Sequence, residues 1–137
     1  MSILAVSKAV KVLLNSWDAP GVKFVGDNEA EPKNATEWAR LSLRPATEGQ
    51  ASMGAEVNTT RHTGAIILSI FVKPGSGNTR IMGLADKAIA ALEYKRVLGD
   101  GWILQTRAGG FREIGQNAGA TYYQVNVTVN YYSDRTA

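Results

Sequence analysis

Residues 64–94, GAIILSIFVKPGSGNTRIMGLADKAIAALEY, pass from a two-residue to a 3.6-residue hydrophobic rhythm across one short glycine-rich loop. Ile66, Leu68, Ile70 and Val72 alternate with Ile67, Ser69 and Phe71, the pattern of a strand covered on at least one face. The segment from Lys73 to Asn78 ends that strand: Pro74 removes a ladder donor, and Gly75 and Gly77 permit positive φ. From Thr79 the apolar positions are Ile81, Leu84, Ala88, Ala91 and Leu92, one stripe of a helix expected to run to Arg96. A strand feeding a helix that packs back on its own sheet is the seed of an α+β domain.

Toward the N-terminus, Ala39, Leu41 and Leu43 alternate with Trp38, Arg40, Ser42 and Arg44 in a half-buried strand that Pro45 is expected to end. Val22 to Val25 reads as a short strand. Ile3, Val6, Val10, Leu13 and Trp17 predict an amphipathic helix from Ser2 to Asn15, with Ser2 as its N-cap and Pro20 and Gly21 stopping it. Residues 26–36, GDNEAEPKNAT, read as an acidic surface loop, and 47–58 as either a paired strand or a loop. Toward the C-terminus, Gly99-Asp-Gly101 is turn chemistry and Trp102 to Arg107 a short strand. Ala108 to Ala120 is glycine-rich and shows no period.

The last element, Tyr122 to Tyr132, sets Tyr123, Val125, Val127, Val129 and Tyr131 on one side and Gln124, Asn126, Thr128 and Asn130 on the other. One dry and one wet face imply an antiparallel sheet covered on one side by helices. The expected fold is a single α+β domain over 1–137: a mainly antiparallel sheet of four to six strands, with the N-terminal and central helices on one face. The expected order is helix, three or four strands, helix, two strands.

At 137 residues one hydrophobic core suffices. The absence of cysteine excludes a disulfide framework, a thiolate zinc site and a cysteine nucleophile. His62 is the sole histidine, so one chain cannot build a two-histidine metal site. The acids are dispersed, and there is no Gly-x-Ser-x-Gly nucleophile elbow. Gly75 to Arg80 invites comparison with a phosphate-binding loop, but the Lys-Ser/Thr pair is missing from the helix start, and Lys73 precedes the glycines. The two readings are an anion held by helix amides beside Arg80, and a plain connector capped by Asn78 or Thr79. No run approaches the roughly 18 apolar residues of a membrane span. The expectation is therefore a protein that is not an enzyme, with no cofactor, metal or membrane partner. Net charge is +3, divided into −1 over residues 1–60 and +4 over 61–137. So small an excess is weak evidence for a nucleic-acid partner, and scattered solvated lysines and arginines are the plainer reading.

Four residues stand out as candidate interface positions. Phe111, flanked by glycines and by Arg107 and Arg112, has the composition of a docking anchor, since aromatic and arginine side chains dominate interface energetics. The alternative tucks Phe111 onto the sheet edge and leaves the arginines solvated. Trp38 falls on the polar side of its strand, where either the sheet's own far edge or another subunit must cover it.

The amphipathic first helix, WARLSLRP, GAIILSIFVKPGSGNTRIMGLADKAIAALE, FREIGQNAGA and the final YYQVNVTVNYY together resemble the tail terminator-like proteins of long-tailed bacteriophages and prophages, including the lambda-type minor tail protein. The resemblance lies in element order and texture and covers most of the chain; 26–36 and 47–58 match least. It implies a small structural protein that forms a homo-oligomeric ring, typically a hexamer, on the growing tail tube. There it would stop tube polymerisation and support head-tail joining, contacting the tail tube protein and head-completion proteins. It implies a place in the virion tail, and in the host bacterial cytoplasm during assembly. Another small neck or tail-completion protein is the nearest alternative, and a nucleic-acid-binding module a further one. The resemblance supplies no catalytic residues, so Trp38, Arg107, Phe111 and Arg112 stand on their own chemistry.

Overall fold

The computed structural model describes residues 3–17, 22–26, 37–50, 59–73, 75, 78–99, 101–115 and 122–136. In chain order the elements are α1 (Ile3–Leu14), β1 (Lys23–Gly26), β2 (Trp38–Gln50), β3 (Thr59–Val72), α2 (Asn78–Leu92), β4 (Arg96–Gly99), β5 (Trp102–Gly115) and β6 (Tyr123–Thr136). They form an α+β fold with one six-stranded sheet, ordered β1-β2-β3-β6-β5-β4. All neighbours are antiparallel except β1 and β2, so the sheet is mixed rather than purely antiparallel.

Alternation decides which face is dry. In the register of the central pair, Ile66 faces Val129, Leu68 faces Val127 and Ile70 faces Val125, and all six are fully buried. A slip of one residue would expose this whole set, so burial pins the register. Ile81, Leu84, Ala85, Ala88 and Leu92 of α2 and Val6, Ala9, Val10 and Leu14 of α1 complete the same core. Just past α1, the Trp17 indole N–H donates to the Leu84 carbonyl of α2 at 3.1 Å and ties the helices together.

Four expectations need correction. Helix α2 ends at Leu92 rather than Arg96, although Ala-Leu-Glu-Tyr-Lys-Arg is good helix sequence. Tyr94 takes a left-handed φ of 51°, the conformation that stops helices, and its N–H donates to the Arg107 carbonyl at 3.3 Å. The chain then enters β4, so three strands follow α2 instead of two. β4 escapes sequence reading because it is four residues long and mostly exposed. Its hairpin to β5 uses the anticipated turn, with Gly101 at φ 74° and Gly99 paired to Trp102.

Pro45 does not end β2, which continues to Gln50 with a register shift between Pro45 and Thr47. β1 pairs with β2 only from Trp38 to Leu41, so beyond that point β2 is an edge among the described residues. An edge bearing a bulge tolerates a residue with no N–H to give.

The first half of Ala108–Ala120 is not a loop. β5 runs to Gly115, and Gly109 to Gly115 pair with Val129 to Gln124. The glycine content that hides this strand includes one tightly packed position. A Cβ on Gly109 would meet Ile89 of α2 and Val129 of β6 at 3.1 Å each, so the helix packs closely over this position and a side chain there would have to displace its neighbours by a few tenths of an ångström. Gly26, expected to open a loop, is the last residue of β1; the rest of that loop, 27–36, the Ser2 cap, the phosphate-loop glycine Gly77, and 51–58 and 116–120 fall outside the described residues.

Candidate functional site

Pairing registers place Trp38, Arg40, Ser42 and Arg44 of β2 on the face away from the helices. With them stand Arg61, Thr63, Ala65, Ile67, Ser69 and Phe71 of β3, and Gln124, Asn126, Thr128, Asn130, Tyr132 and Asp134 of β6. β5 adds Gln105, Arg107, Gly110 and Arg112, and β4 adds Arg96, whose Nε donates to Gln105 Oε1 at 3.1 Å.

One end of this face is aromatic. Trp38 stacks on Phe71 with ring centroids 4.2 Å apart and 12° between planes, and Tyr122 meets both edge-on at 6.0 and 6.2 Å. Trp38 is 4% exposed. Its own sheet therefore covers it, and among the four candidate interface residues it is the one already buried within the chain. The other end is ionic. Arg61 makes a two-pronged pair with its cross-strand partner Asp134, at 2.8 and 2.9 Å, while its guanidinium lies 4.3 Å from the Tyr132 ring centre. Arg107 lies 5.0 Å from that same ring, so two guanidinium groups grip one tyrosine.

Arg107, Phe111 and Arg112 are all exposed on β5. Arg107 and Arg112 share the helix-free face. Phe111 pairs with Val127, whose side chain is on the helix side, so the strand divides the three residues between its two faces. Sequence reading missed Arg40, Arg44, Arg61, Arg96 and Tyr132 as companions of Arg107 and Arg112. The available signal was strand phase, which already put Arg40 and Arg44 on the polar side of β2.

Arg80, the cation of the phosphate-loop comparison, is engaged with a carboxylate. Arg80 Nε and Nη2 donate to the two Glu37 carboxylate oxygens at 2.8 and 2.9 Å. That pair fastens the start of α2 to the start of β2, and the guanidinium that would have faced an anion holds a carboxylate. These hydrogen bonds keep the Glu37 carboxyl below its ordinary value of 4.5, against the opposing effect of partial burial. A depressed folded value contributes stability that is fully present above pH 4.5 and disappears as pH falls through the lowered value. Arg80→Gln is expected to return the Glu37 titration toward its ordinary range and to shrink the acid-side loss of stability. NMR titration of Glu37 with urea unfolding at several pH values checks this; an unchanged titration would refute the assignment.

Among the described residues no three His, Cys, Asp or Glu side chains group as metal ligands, and no helix is long and apolar enough to cross a membrane. His62 sits half-buried between Glu48 and Ser133 in the β2-β3-β6 register.

No family model matches the chain, and no curated protein matches it. Among solved structures, a protein designated only by a sequence identifier superposes with a TM-score of 0.67, over 98% of this chain and 96% of the other. At 16% identity that similarity establishes a shared fold and carries no function with it.

Proposed function

We propose that this chain is a tail terminator-like structural protein of a bacteriophage or prophage, which rings the end of the tail tube, stops its polymerisation and supports head-tail joining. The observation that carries this reading is that, among the described residues, the sheet has an unpaired edge on each of its two sides. β4 covers β5 only from Trp102 to Gln105. The Tyr94 N–H and the Glu93 carboxylate then occupy Arg107 and Gly109, the latter at 2.9 Å. From Gly110 to Gly115 β5 pairs with β6 on its inner side and with no described strand on its outer side, where Phe111 and Ile114 are 46% and 40% exposed. At the opposite side of the sheet β2 beyond Leu41 pairs with β3 but has no described strand on its outer side.

An unpaired edge is a template for another chain. Two different edges make a heterologous, head-to-tail contact, which is the kind that closes into a ring. β2 and β5 run in opposite directions across the sheet, so the β2 edge of one copy meets the β5 edge of the next as an antiparallel pair. In this reading the partners are further copies of the chain, the tail tube protein and the head-completion proteins, in the virion tail and, during assembly, in the host bacterial cytoplasm.

Sedimentation at several concentrations, alone and with tail tube protein, tests the proposal. Self-association or binding to tube ends is expected, and Phe111→Asp with Ile114→Asp is expected to weaken it at least tenfold, roughly the loss of one well-packed contact. A chain that stays monomeric at high concentration and ignores tube ends is not a terminator. Binding to head-completion proteins without binding to the tube would favour the neck or tail-completion reading.

A further inference from the structure

We propose that the helix-free face of the sheet binds the phosphate backbone of double-stranded nucleic acid, through arginines that the fold collects from distant parts of the chain. Six of the eight arginines, Arg40, Arg44, Arg61, Arg96, Arg107 and Arg112, stand on this face, against one described carboxylate, Asp134, which is paired with Arg61. They are separated by up to 72 positions in sequence, so no basic run announces them.

Four of them mark out a frame. Register joins Arg40, Ser69, Asn126 and Arg112 in one row across β2, β3, β6 and β5. Arg44, Ala65 and Asn130 form a second row, which ends at the irregularity after Thr106 where Arg107 stands. Three strand spacings separate the β2 and β5 arginines, about 14 Å, and four residues of strand separate the rows, about 13 Å. Those separations match the roughly 12 Å width of a duplex major groove between its two phosphate backbones, within the reach of an arginine side chain. Between the two rails the β6 floor is Gln124, Asn126, Thr128 and Asn130, with Gln124 donating to Asn126 at 2.9 Å. Amides and hydroxyls of this kind hydrogen-bond phosphate and sugar without reading sequence.

The class of ligand follows from what the face offers. Guanidinium groups bind phosphate oxygens in two-pronged fashion, which suits the exposed Arg107 and Arg112 of the β5 rail; on β2, Arg40 lies 5.3 Å from the Trp38 ring centre and Arg44 Nη1 donates to the Leu43 carbonyl at 3.2 Å, so that rail would bind through its remaining donors. The aromatic rings are engaged with one another in the Trp38-Phe71-Tyr122 cluster, or, in Tyr132, gripped by Arg61 and Arg107. They offer no stacking platform for unpaired bases, which favours the duplex backbone over a single strand. The helix side supplies the comparison, since Lys8 and Lys11 are exposed there on α1, away from this face.

The inference does not depend on ring assembly and is tested without it. Fluorescence anisotropy of a labelled mixed-sequence DNA duplex is measured from about 20 to 200 mM salt with the wild-type chain. Affinity that falls steeply with salt is expected. Arg107→Glu with Arg112→Glu should weaken binding by about tenfold or more and flatten the logarithmic salt slope by about 2. Lys8→Glu with Lys11→Glu changes the net charge by the same amount on the other side of the molecule, and should cost no more than about threefold. All four positions are exposed, and thermal melts of the variants confirm folding. No binding at the lowest salt overturns the proposal. Equal losses in the two double variants also overturn it, because net charge alone would then explain the affinity. Polyglutamate competing as well as DNA overturns it in favour of an acidic protein partner.

Discussion

Replacing Trp38 with alanine is expected to lower the stability of the fold by about 3–5 kcal/mol, the range for truncating a buried tryptophan. The side chain lies on the face without helices, where only neighbouring side chains can cover it, and it is nevertheless 4% exposed. Phe71 stacks on it at 4.2 Å and Tyr122 closes its edge, so removing the indole takes apart a three-ring cluster rather than opening one cavity. Geometry of this kind adds about 0.5–1.5 kcal/mol per aromatic pair beyond the area buried. Trp38→Phe should cost much less. The indole N–H is buried without an acceptor among the described residues, so phenylalanine keeps the stack and removes an orphaned donor. Urea unfolding followed by circular dichroism separates the outcomes. A loss below about 1 kcal/mol for the alanine variant would mean that Trp38 is not a packed core residue.

Thr106→Val is expected to cost about 2–3 kcal/mol, although it preserves shape and adds apolar surface. The Thr106 hydroxyl is buried at the point where α2 turns into β4. It donates to the Leu92 carbonyl, the last residue of the helix, and accepts from the Lys95 N–H at 2.7 Å. The Thr106 N–H also donates to the Lys95 carbonyl at 2.8 Å. One side chain therefore satisfies an orphan carbonyl of the helix end and a turn amide that has no ladder partner. Valine leaves both without that partner. Thr106→Ser keeps the hydroxyl and should recover most of the loss, and amide exchange at Lys95 should quicken in the valine variant alone. Unchanged exchange there would place the hydroxyl's contribution elsewhere.

The same threonine shows why part of the fold was illegible. Alternation over Ile66–Val72 and Tyr123–Tyr131 is a local property, and it correctly gave the two central strands, their dry faces and the helix that covers them. The end of α2 is not local. Residues 93–96 carry helix propensity, but Thr106 and Arg107 offer this segment a hydrogen-bonding surface that exists only once β5 is in place. Gly109 and Gly110 read as loop because glycine is the residue of turns, whereas Gly109 lies in a strand with α2 packed closely over it. Pro45 read as a terminator because proline is excluded from central strands, and β2 beyond Leu41 is an edge.

The candidate site divides along the same line. Arg107, Phe111 and Arg112 were legible from composition, as exposed arginine and aromatic residues in a glycine-rich stretch. Their arrangement was not, because the period-two alternation that sorts them onto opposite faces is masked by glycine and shifted by a bulge after Thr106. Trp38 was assigned its correct face, and the aromatic partners that bury it come from β3 and from Tyr122.

By itself the sequence determined that this protein has one core, a helix-covered sheet and a register fixed by alternating β-branched and leucine side chains. Those are consequences of where apolar groups fall along a chain, and water sorts them without knowledge of topology. Which strands lie at the edges of the described sheet, and that six arginines scattered from position 40 to position 112 share one face, were decided only by strand order. Charge along a sequence is a sum, but binding depends on charge in space, and the order β1-β2-β3-β6-β5-β4 converts a net +3 into one arginine-rich surface.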